Sequence, residues 1–439
     1  MQDNKQSYED NKDYAAIDAT EGVFGEESST PVVSNQFSFT TGPAGSGKTF
    51  GMKRLIEEDE QSMLLCATTG VAAVNLDSVT LNSVLKYFDT ESLADAYTSG
   101  RLTRTLMALY KNYRSLGIDE ISMMDGDQLD LITEAAIQAA DRGAPIGIHL
   151  TGDFAQLPPV KAKWAFEAYH WSQYEANMTK LTKIWRQTNP DFLNAINFAR
   201  AGKGEEAAEG FRNLKGLKWA VGVDNKFDGT TIMSKNEDVD RYNRMRYMAL
   251  KGSEKAYRGY KSGKKRAEWD NIPDILRLKE GALVMILANK MWDGELIYAN
   301  GDLGHIVYMG SNHVTVLLNR TCREVNVEYI VRKNATKDQP RDAEIQQWSA
   351  YYDEPSETWV LGNVTYMPLR LAYSATVHKT QGLTLDNIQI DMRGGFFGAP
   401  GMMYVALSRA RTPQGLRLVG SAELMAKRIK VEPKIEGWI

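Results

Sequence analysis

The sequence predicts an α/β protein: parallel sheets covered by helices, in two units, with a small antiparallel β insertion inside the second. Three observations predict it. Short apolar runs alternate with stretches of helical spacing in the first third of the chain. A glycine-rich loop of phosphate-binding pattern stands between one such run and one such stretch. Beyond residue 281 the texture changes to short strands and tight turns.

Taken in order, residues 1–30 hold eight acidic residues against two lysines and lack apolar periodicity, so they read as a flexible acidic tail. The first unit is expected over residues 31–185. Its strands are 37–40, 63–67, 116–119 and 146–152. Residues 49–58 form a helix, and Leu129, Ile132, Ala135, Ala136 and Ala139 share one face of another. The second unit is expected over 186–294 and 367–439, with helices at 192–201 and 239–250 and a strand at 231–234. The insertion is placed at 295–366. Strands at 283–287, 304–309 and 314–318, with Asn300-Gly301 as a hairpin turn, give this region a barrel-like character. Residues 258–266 (RGYKSGKKR) carry five Lys or Arg and two glycines; they read as a loop, either solvated or phosphate-contacting.

Composition narrows the class. Hydrophobic residues at 43% and charged residues at 25% fit a globular chain. No run of ~18 apolar residues is present to span a membrane, and no apolar leader follows a basic start, so a cytoplasmic protein is expected. Cys66 and Cys322 are the only cysteines, which excludes a disulfide scaffold and a cysteine-rich zinc site. The net charge of −4 argues against a nucleic-acid partner only until the tail is set aside, because the remainder then carries +2. Phosphate binding depends on local clustering rather than on the total.

GPAGSGKT at 42–49 fits G-x-x-x-x-G-K-[ST] at every fixed position, with an expected strand before it and an expected helix after it. Gly42, Gly45 and Gly47 let the loop's backbone N–H groups, including those of Ala44 and Ser46 around Pro43, turn toward phosphates at a helix N-terminus. Lys48 is placed for the β- and γ-phosphates and Thr49 for Mg²⁺. SLGIDEIS at 115–122 ends an apolar strand with two carboxylates, Asp119 to hold Mg²⁺ and Glu120 to polarise the attacking water. In GDFAQLPPV (152–160), Gln156 is a candidate sensor of the γ-phosphate or of that water, with Pro158-Pro159 stiffening the loop. These three motifs indicate a triphosphatase. Arg186 in KIWRQ and Arg409 in YVALSRAR, placed on the second unit, would stabilise γ-phosphate charge only when the two units close.

Together, GPAGSGKT (42–49), ATTGVAAVNL (67–76), TLNSVLKYF (80–88), IDEISMMD (118–125), GDFAQLPPV, IWRQ (184–187), PLRLAYSATVHKTQGLTLD (368–386) and YVALSRAR (404–411) resemble the superfamily 1, subgroup B helicases. Within that group they are closest to the PIF-type (petite-integration-frequency) helicases and their RecD-like relatives. In order, they cover roughly residues 37–420. The resemblance implies two RecA-like P-loop domains with a small SH3-like β-barrel insertion. It also implies ATP-driven 5′ to 3′ movement on single-stranded DNA with duplex unwinding. Mg²⁺ is the implied cofactor, and single-stranded and forked DNA are the implied partners. A monomer with no membrane association is expected, and the tail's partner stays open. By the same resemblance Thr68, Thr69, Asn82, Pro158, His378, Lys379 and Thr380 face nucleic acid, and Gly382 and Thr384 lie near the nucleotide. Trp292, Tyr298 and Tyr308 of the insertion are candidates for base stacking.

The sequence departs from the family pattern in two places. No glutamine occurs between Gln6 and Gln36 to read the adenine edge, and Asn82 stands where a histidine is usual. The duplex-splitting wedge is expected within 88–113, which shows no hairpin pattern. Two other readings stay open: a nucleic-acid-stimulated ATPase that remodels protein–DNA complexes with little strand separation, and a P-loop nucleotide kinase. The second leaves GDFAQLPPV, TVHKTQGLT and YVALSRAR unexplained.

Overall fold

The computed structural model describes residues 36–439 except 59–62, 70–71, 74–75, 77, 267–268, 271, 293–294, 299, 320 and 337–338. The acidic tail expected at 1–30 lies outside the described residues. Six strands form the first sheet: β1 (Phe37–Thr41), β2 (Met63–Ala67), β3 (Val79–Thr80), β4 (Ser115–Asp119), β5 (Gly147–Gly152) and β6 (Met178–Lys180). Their order is β3-β2-β4-β5-β1-β6, and every pairing is parallel. β4 and β5 are buried along their whole length, which is why their sequences read as continuous apolar runs rather than as alternations. Helix α1 (Lys48–Glu58) follows β1, and the helix Gly126–Asp141 buries Leu129, Ile132, Ala135, Ala136 and Ala139. Because parallel strands end at one edge, the loops after the adjacent strands β1, β4 and β5 meet there, and those loops carry the first three motifs.

Residues 88–113 are helical: Thr90–Thr98, capped by Asp89, and Arg101–Tyr110. Thr103 is bonded to Gln138 of the helix Gly126–Asp141 at 3.0 Å.

The second unit has its own parallel sheet, in the order Ser374–Thr376, Thr230–Met233, Ile388–Asp391, Leu416–Val419, Lys218–Ala220. The helix Asn236–Met248 lies between its Thr230 strand and the insertion.

The insertion begins earlier than residue 295. Antiparallel pairing starts with Lys255–Arg258 against Ile275–Leu278, and ends with Leu369–Leu371 against Leu283–Ile286. Between these lie a five-stranded and a four-stranded antiparallel sheet. The early strands escape a reading by hydropathy because they are half-polar: Lys255–Arg258 buries only Tyr257.

The basic segment 258–266 is likewise mostly strand, with Tyr260–Gly263 paired to Thr358–Tyr366. Several of its charges are already engaged. Lys261 bonds the Ile272 carbonyl and Asp274, Lys264 lies 3.8 Å from Glu344, and Arg266 bonds Asn334. Asn300-Gly301 does turn the chain, with Gly301 at φ 97°, but the strands it joins pair with other partners. It is a crossover, not a hairpin. Among the described residues no helix is long and apolar enough to cross a membrane.

Candidate active site

The loop between β1 and α1 needs its glycines for two reasons. Gly45 and Gly47 have φ of 82° and 88°, the left-handed region. At Gly42 and Gly45 there is also no room: a Cβ would lie 2.5 Å from the Leu181 carbonyl oxygen and 2.6 Å from the Arg186 Cβ, respectively. Lys48 opens α1 and donates to the carbonyls of Gly42 (2.8 Å) and Pro43 (3.1 Å). Burial pushes its pKa down, while Asp153, Glu120 and Asp119 pull it back up.

Asp119, at the end of β4, is held from three sides. Thr49 Oγ1 donates to its Oδ2 at 2.7 Å, and Thr151 Oγ1 (2.5 Å) and the Glu120 N–H (2.8 Å) donate to its Oδ1. Glu120 then takes φ 58° and ψ 44°, a left-handed conformation that costs a non-glycine residue about 1–2 kcal/mol. This bend turns its carboxyl into the same cavity as Lys48. Gln381 Nε2 donates to Glu120 Oε2 at 2.9 Å. Burial, and next the Asp119 charge, push the Glu120 carboxyl up to about 7, against the pull of Lys48, Arg409 and the Gln381 bond. A carboxyl so placed is suited to accept a proton near neutral pH.

Two arginines reach this place from outside the first sheet. Arg186 Nη1 donates to the Ser408 carbonyl at 3.0 Å, and Gln187 beside it donates to the carbonyls of Ser408 and Ala410. Arg409 is 1% exposed and donates to the Val405 and Leu383 carbonyls and to Ser408 Oγ. Burial lowers the pKa of both guanidiniums, and Arg409 further lowers that of Arg186.

A cavity of about 510 Å³ lies between them, lined by Ala44, Gly45, Gly47, Lys48, Thr49, Asp119, Glu120, Gln156, Arg186, Gly382, Thr384 and Arg409. All of these are residues the sequence singles out. Gly42, Pro43 and Ser46 shape the loop from behind. Phe50, Lys53, Trp185 and Arg411 also line the cavity and belong to no motif role assigned from sequence. Its wall holds five cationic side chains (Lys48, Lys53, Arg186, Arg409, Arg411) against two carboxylates. Like charges gathered around one cavity call for a polyanion, and a nucleoside triphosphate has that charge. Gln156 lines the cavity but is buried, and its Oε1 is closed off from solvent with no hydrogen-bond partner among the described residues.

Beside the cavity runs a buried chain of hydrogen bonds. The Ala44 N–H donates to Tyr404 Oη at 2.7 Å, Tyr404 donates to Asp153 Oδ2 at 2.8 Å, and Asp153 pairs with Arg200 at 2.9 Å. Nothing in the sequence separates Tyr404, Arg200 or Gln381 from its neighbours; only tertiary placement reveals them.

The family description "AAA domain" matches residues 30–220. The ATP-dependent DNA helicase Pif1 of Bdellovibrio bacteriovorus is 30% identical over 411 residues, covering 90% of this chain and 86% of that protein. The chain belongs to the Pif1 helicase family. Human ATP-dependent DNA helicase PIF1 is 28% identical over 88% of this chain, which spans 59% of the human protein. Among solved structures, Bacteroides sp. Pif1 in complex with ADP-AlF4 superposes with a TM-score of 0.68 at 26% identity, covering 92% of each chain. Bacteroides Pif1 bound to single-stranded DNA does so with a TM-score of 0.54 at 26% identity, again over 92% of each chain.

The expected nucleic-acid residues of this Pif1-family chain divide. His378 is exposed, and Thr69, Asn82, Pro158 and Lys379 are half-buried. Thr380 is not available: it is 0% exposed and its hydroxyl donates to the Val377 carbonyl. The short helix Val377–Thr380 turns it inward, away from any nucleic-acid partner. Thr68 donates its hydroxyl proton to the Glu120 carbonyl at 2.9 Å, tying its loop to the acid pair. In the insertion Trp292 and Tyr308 are exposed, but Tyr298 is 2% exposed and belongs to the core. Gln36 bonds the Ile146 carbonyl before β5 begins, at the sheet edge opposite the phosphate loop, so it does not read adenine.

Proposed function

We propose that this Pif1-family chain is an ATP-dependent DNA helicase that moves 5′ to 3′ on single-stranded DNA and hydrolyses ATP in the cavity between its two α/β units. The observation that carries this reading is the convergence of Arg186 and Arg409 on the P-loop and Glu120 around a single cation-rich cavity. An ATPase without a second motor unit has no need of that arrangement.

In this mechanism the P-loop amides, apart from that of Ala44, which is bonded to Tyr404, and Lys48 hold the β- and γ-phosphates. Thr49 and Asp119 place two hard oxygens 2.7 Å apart at the mouth of α1, which suits Mg²⁺ bound by few protein ligands together with substrate phosphate oxygens. Mg²⁺ bound there would neutralise charge on the phosphates. Glu120 accepts the proton of the attacking water, and Gln156, beside the same cavity, is the proposed sensor of that water or of the γ-phosphate. Arg186 and Arg409 then compensate charge that develops as the γ-phosphate leaves. Phe50 and Trp185, aromatic residues of the cavity wall, are the proposed neighbours of the base without an upstream glutamine; the Trp185 ring also carries the Lys183 ammonium at 3.7 Å.

His378, Lys379, Thr68, Thr69, Asn82 and Pro158 are assigned to the DNA backbone, and Trp292 and Tyr308 to bases. Phosphate contacts made by hydroxyls and amides need no large net positive charge. The chain supplies every group of its own cavity, so a monomer is the proposed unit of ATP turnover. The deciding experiment is ATPase rate alone, with single-stranded DNA, and with RNA of the same sequence. Stimulation by DNA is expected; a rate indifferent to either polymer would refute the motor reading while leaving an ATPase.

A further inference from the structure

We infer that Tyr404 is a positioning residue that sets Arg409 against the ATP cavity, using the P-loop as its reference point. The inference rests on the role proposed above for Arg409. Tyr404 lies in the helix Met402–Leu407 of the second unit, and its hydroxyl makes two bonds with residues of the first. The direction of both is fixed by chemistry. The Ala44 N–H can only donate and the Asp153 carboxylate only accepts, so the single phenolic proton points to Asp153 and an oxygen lone pair receives Ala44.

Asp153 is itself immobilised by Arg200 at 2.9 Å and by the Ala155 N–H at 3.2 Å. The hydroxyl is therefore seated between two loops of the first unit, the phosphate loop and the loop that carries Gln156, the second of them pinned through Asp153 to Arg200.

A second contact seats the same helix. Gly401, just before it, has φ 75°, and a Cβ there would collide with the Gln156 carbonyl oxygen. The helix start thus rests on the backbone of the Gln156 loop.

Arg409 follows the other end of this helix, and its Nε donates to the Val405 carbonyl at 2.9 Å. Its guanidinium is consequently tied to the turn that carries Tyr404. At about 1.5 Å rise per residue the two side chains are on the order of 7 Å apart along the axis. That span is short enough to move as one piece. Tyr404 is held by Ala44 and Asp153, and the same helix holds Arg409 against the cavity. Packing alone would be met by a phenylalanine ring, so the buried hydroxyl is what needs explaining.

The test is a cycle of Tyr404→Phe, Arg409→Ala and the double variant in the DNA-stimulated ATPase, with kcat, the ATP KM and thermal midpoint measured for each. Tyr404→Phe should lower kcat about tenfold, equivalent to about 1.4 kcal/mol, and leave KM within about twofold, because Arg409 acts in the transition state. The double variant should be no slower than Arg409→Ala alone. Three outcomes overturn the inference: a wild-type kcat for Tyr404→Phe, a loss expressed in KM, or effects that multiply in the double variant. A wild-type rate for Arg409→Ala would instead overturn the underlying role of Arg409, and the inference with it. Should Tyr404→Phe prove unstable, Gly401→Ala displaces the same helix with the hydroxyl intact, and the same non-additivity with Arg409→Ala is expected.

Discussion

Glu120 concentrates the chemistry of this site in one side chain: a left-handed backbone, a buried carboxyl raised to about 7, and a hydrogen bond from Gln381 of the second unit. Glu120→Gln keeps the shape but cannot take a proton. It should bind ATP with Mg²⁺ yet turn over at least 10²-fold more slowly, within the usual contribution of a general base. A fluorescent ATP analogue and a phosphate-release assay separate the two effects, and wild-type turnover would move the base elsewhere. Arg186→Ala should cut DNA-stimulated turnover by on the order of 10³, as loss of an arginine finger does, and leave single-stranded DNA affinity nearly intact. Equal losses of both would show that Arg186 serves the fold through its bond to Ser408. At this scale the sequence was most legible where a motif fixes the backbone. Lys48, Thr49, Asp119 and Glu120 line one cavity as their spacing implies. Thr380 and Gln381 show the opposite. A four-residue run of polar side chains, His378 to Gln381, does not say which one faces DNA, and the short helix Val377–Thr380 sends Thr380 inward and Gln381 to Glu120.

Among elements, the buried parallel strands of the first unit were readable because both faces are covered, and apolar runs then mark them directly. The insertion was readable only in its centre. Strands such as Lys255–Arg258 and Tyr260–Gly263 bury one face or less, so their lysines and tyrosines imitate a loop. The pairing of β1 with β5 also carries a pH dependence. His149, in β5, is bonded to Ser38 of β1 at 2.8 Å, and burial pushes its pKa down to about 4. Unfolded, it titrates at about 6.5. Between those values the unfolded chain holds a proton that the folded one lacks, so this contribution to stability is full above about 6.5 and lost as pH falls toward 4. At pH 5 the loss is on the order of 2 kcal/mol for a group this buried. Thermal midpoints of wild type and His149→Gln should therefore converge between pH 7.5 and 5; a constant gap would show that His149 takes up its proton at the same pH folded as unfolded.

The whole molecule couples two sheets through one cavity, and its direction of travel is the property furthest from any single contact. In the proposed cycle ATP would bridge the P-loop and the two arginines, so that binding would favour a closed arrangement and phosphate release an open one. For such a cycle to give net movement, the grip of each unit must strengthen and weaken in turn. The loops that would grip are linked to the reacting groups: Thr68 bonds the Glu120 carbonyl, and Gln381, three residues beyond exposed His378, bonds the Glu120 carboxyl. A change at Glu120 thus reaches both units at once. Phosphate contacts should make the motion nearly independent of base sequence and steeply dependent on salt. Polarity follows from which unit leads, and 5′ to 3′ is the direction proposed. Two fluorescent partial duplexes of identical sequence, one with a 5′ tail and one with a 3′ tail, test it directly. The 5′-tailed substrate should be unwound with ATP and not with a non-hydrolysable analogue. Unwinding of the 3′-tailed substrate alone would reverse the order of the grips while leaving the ATP site as assigned, because the site's geometry is the same whichever unit leads.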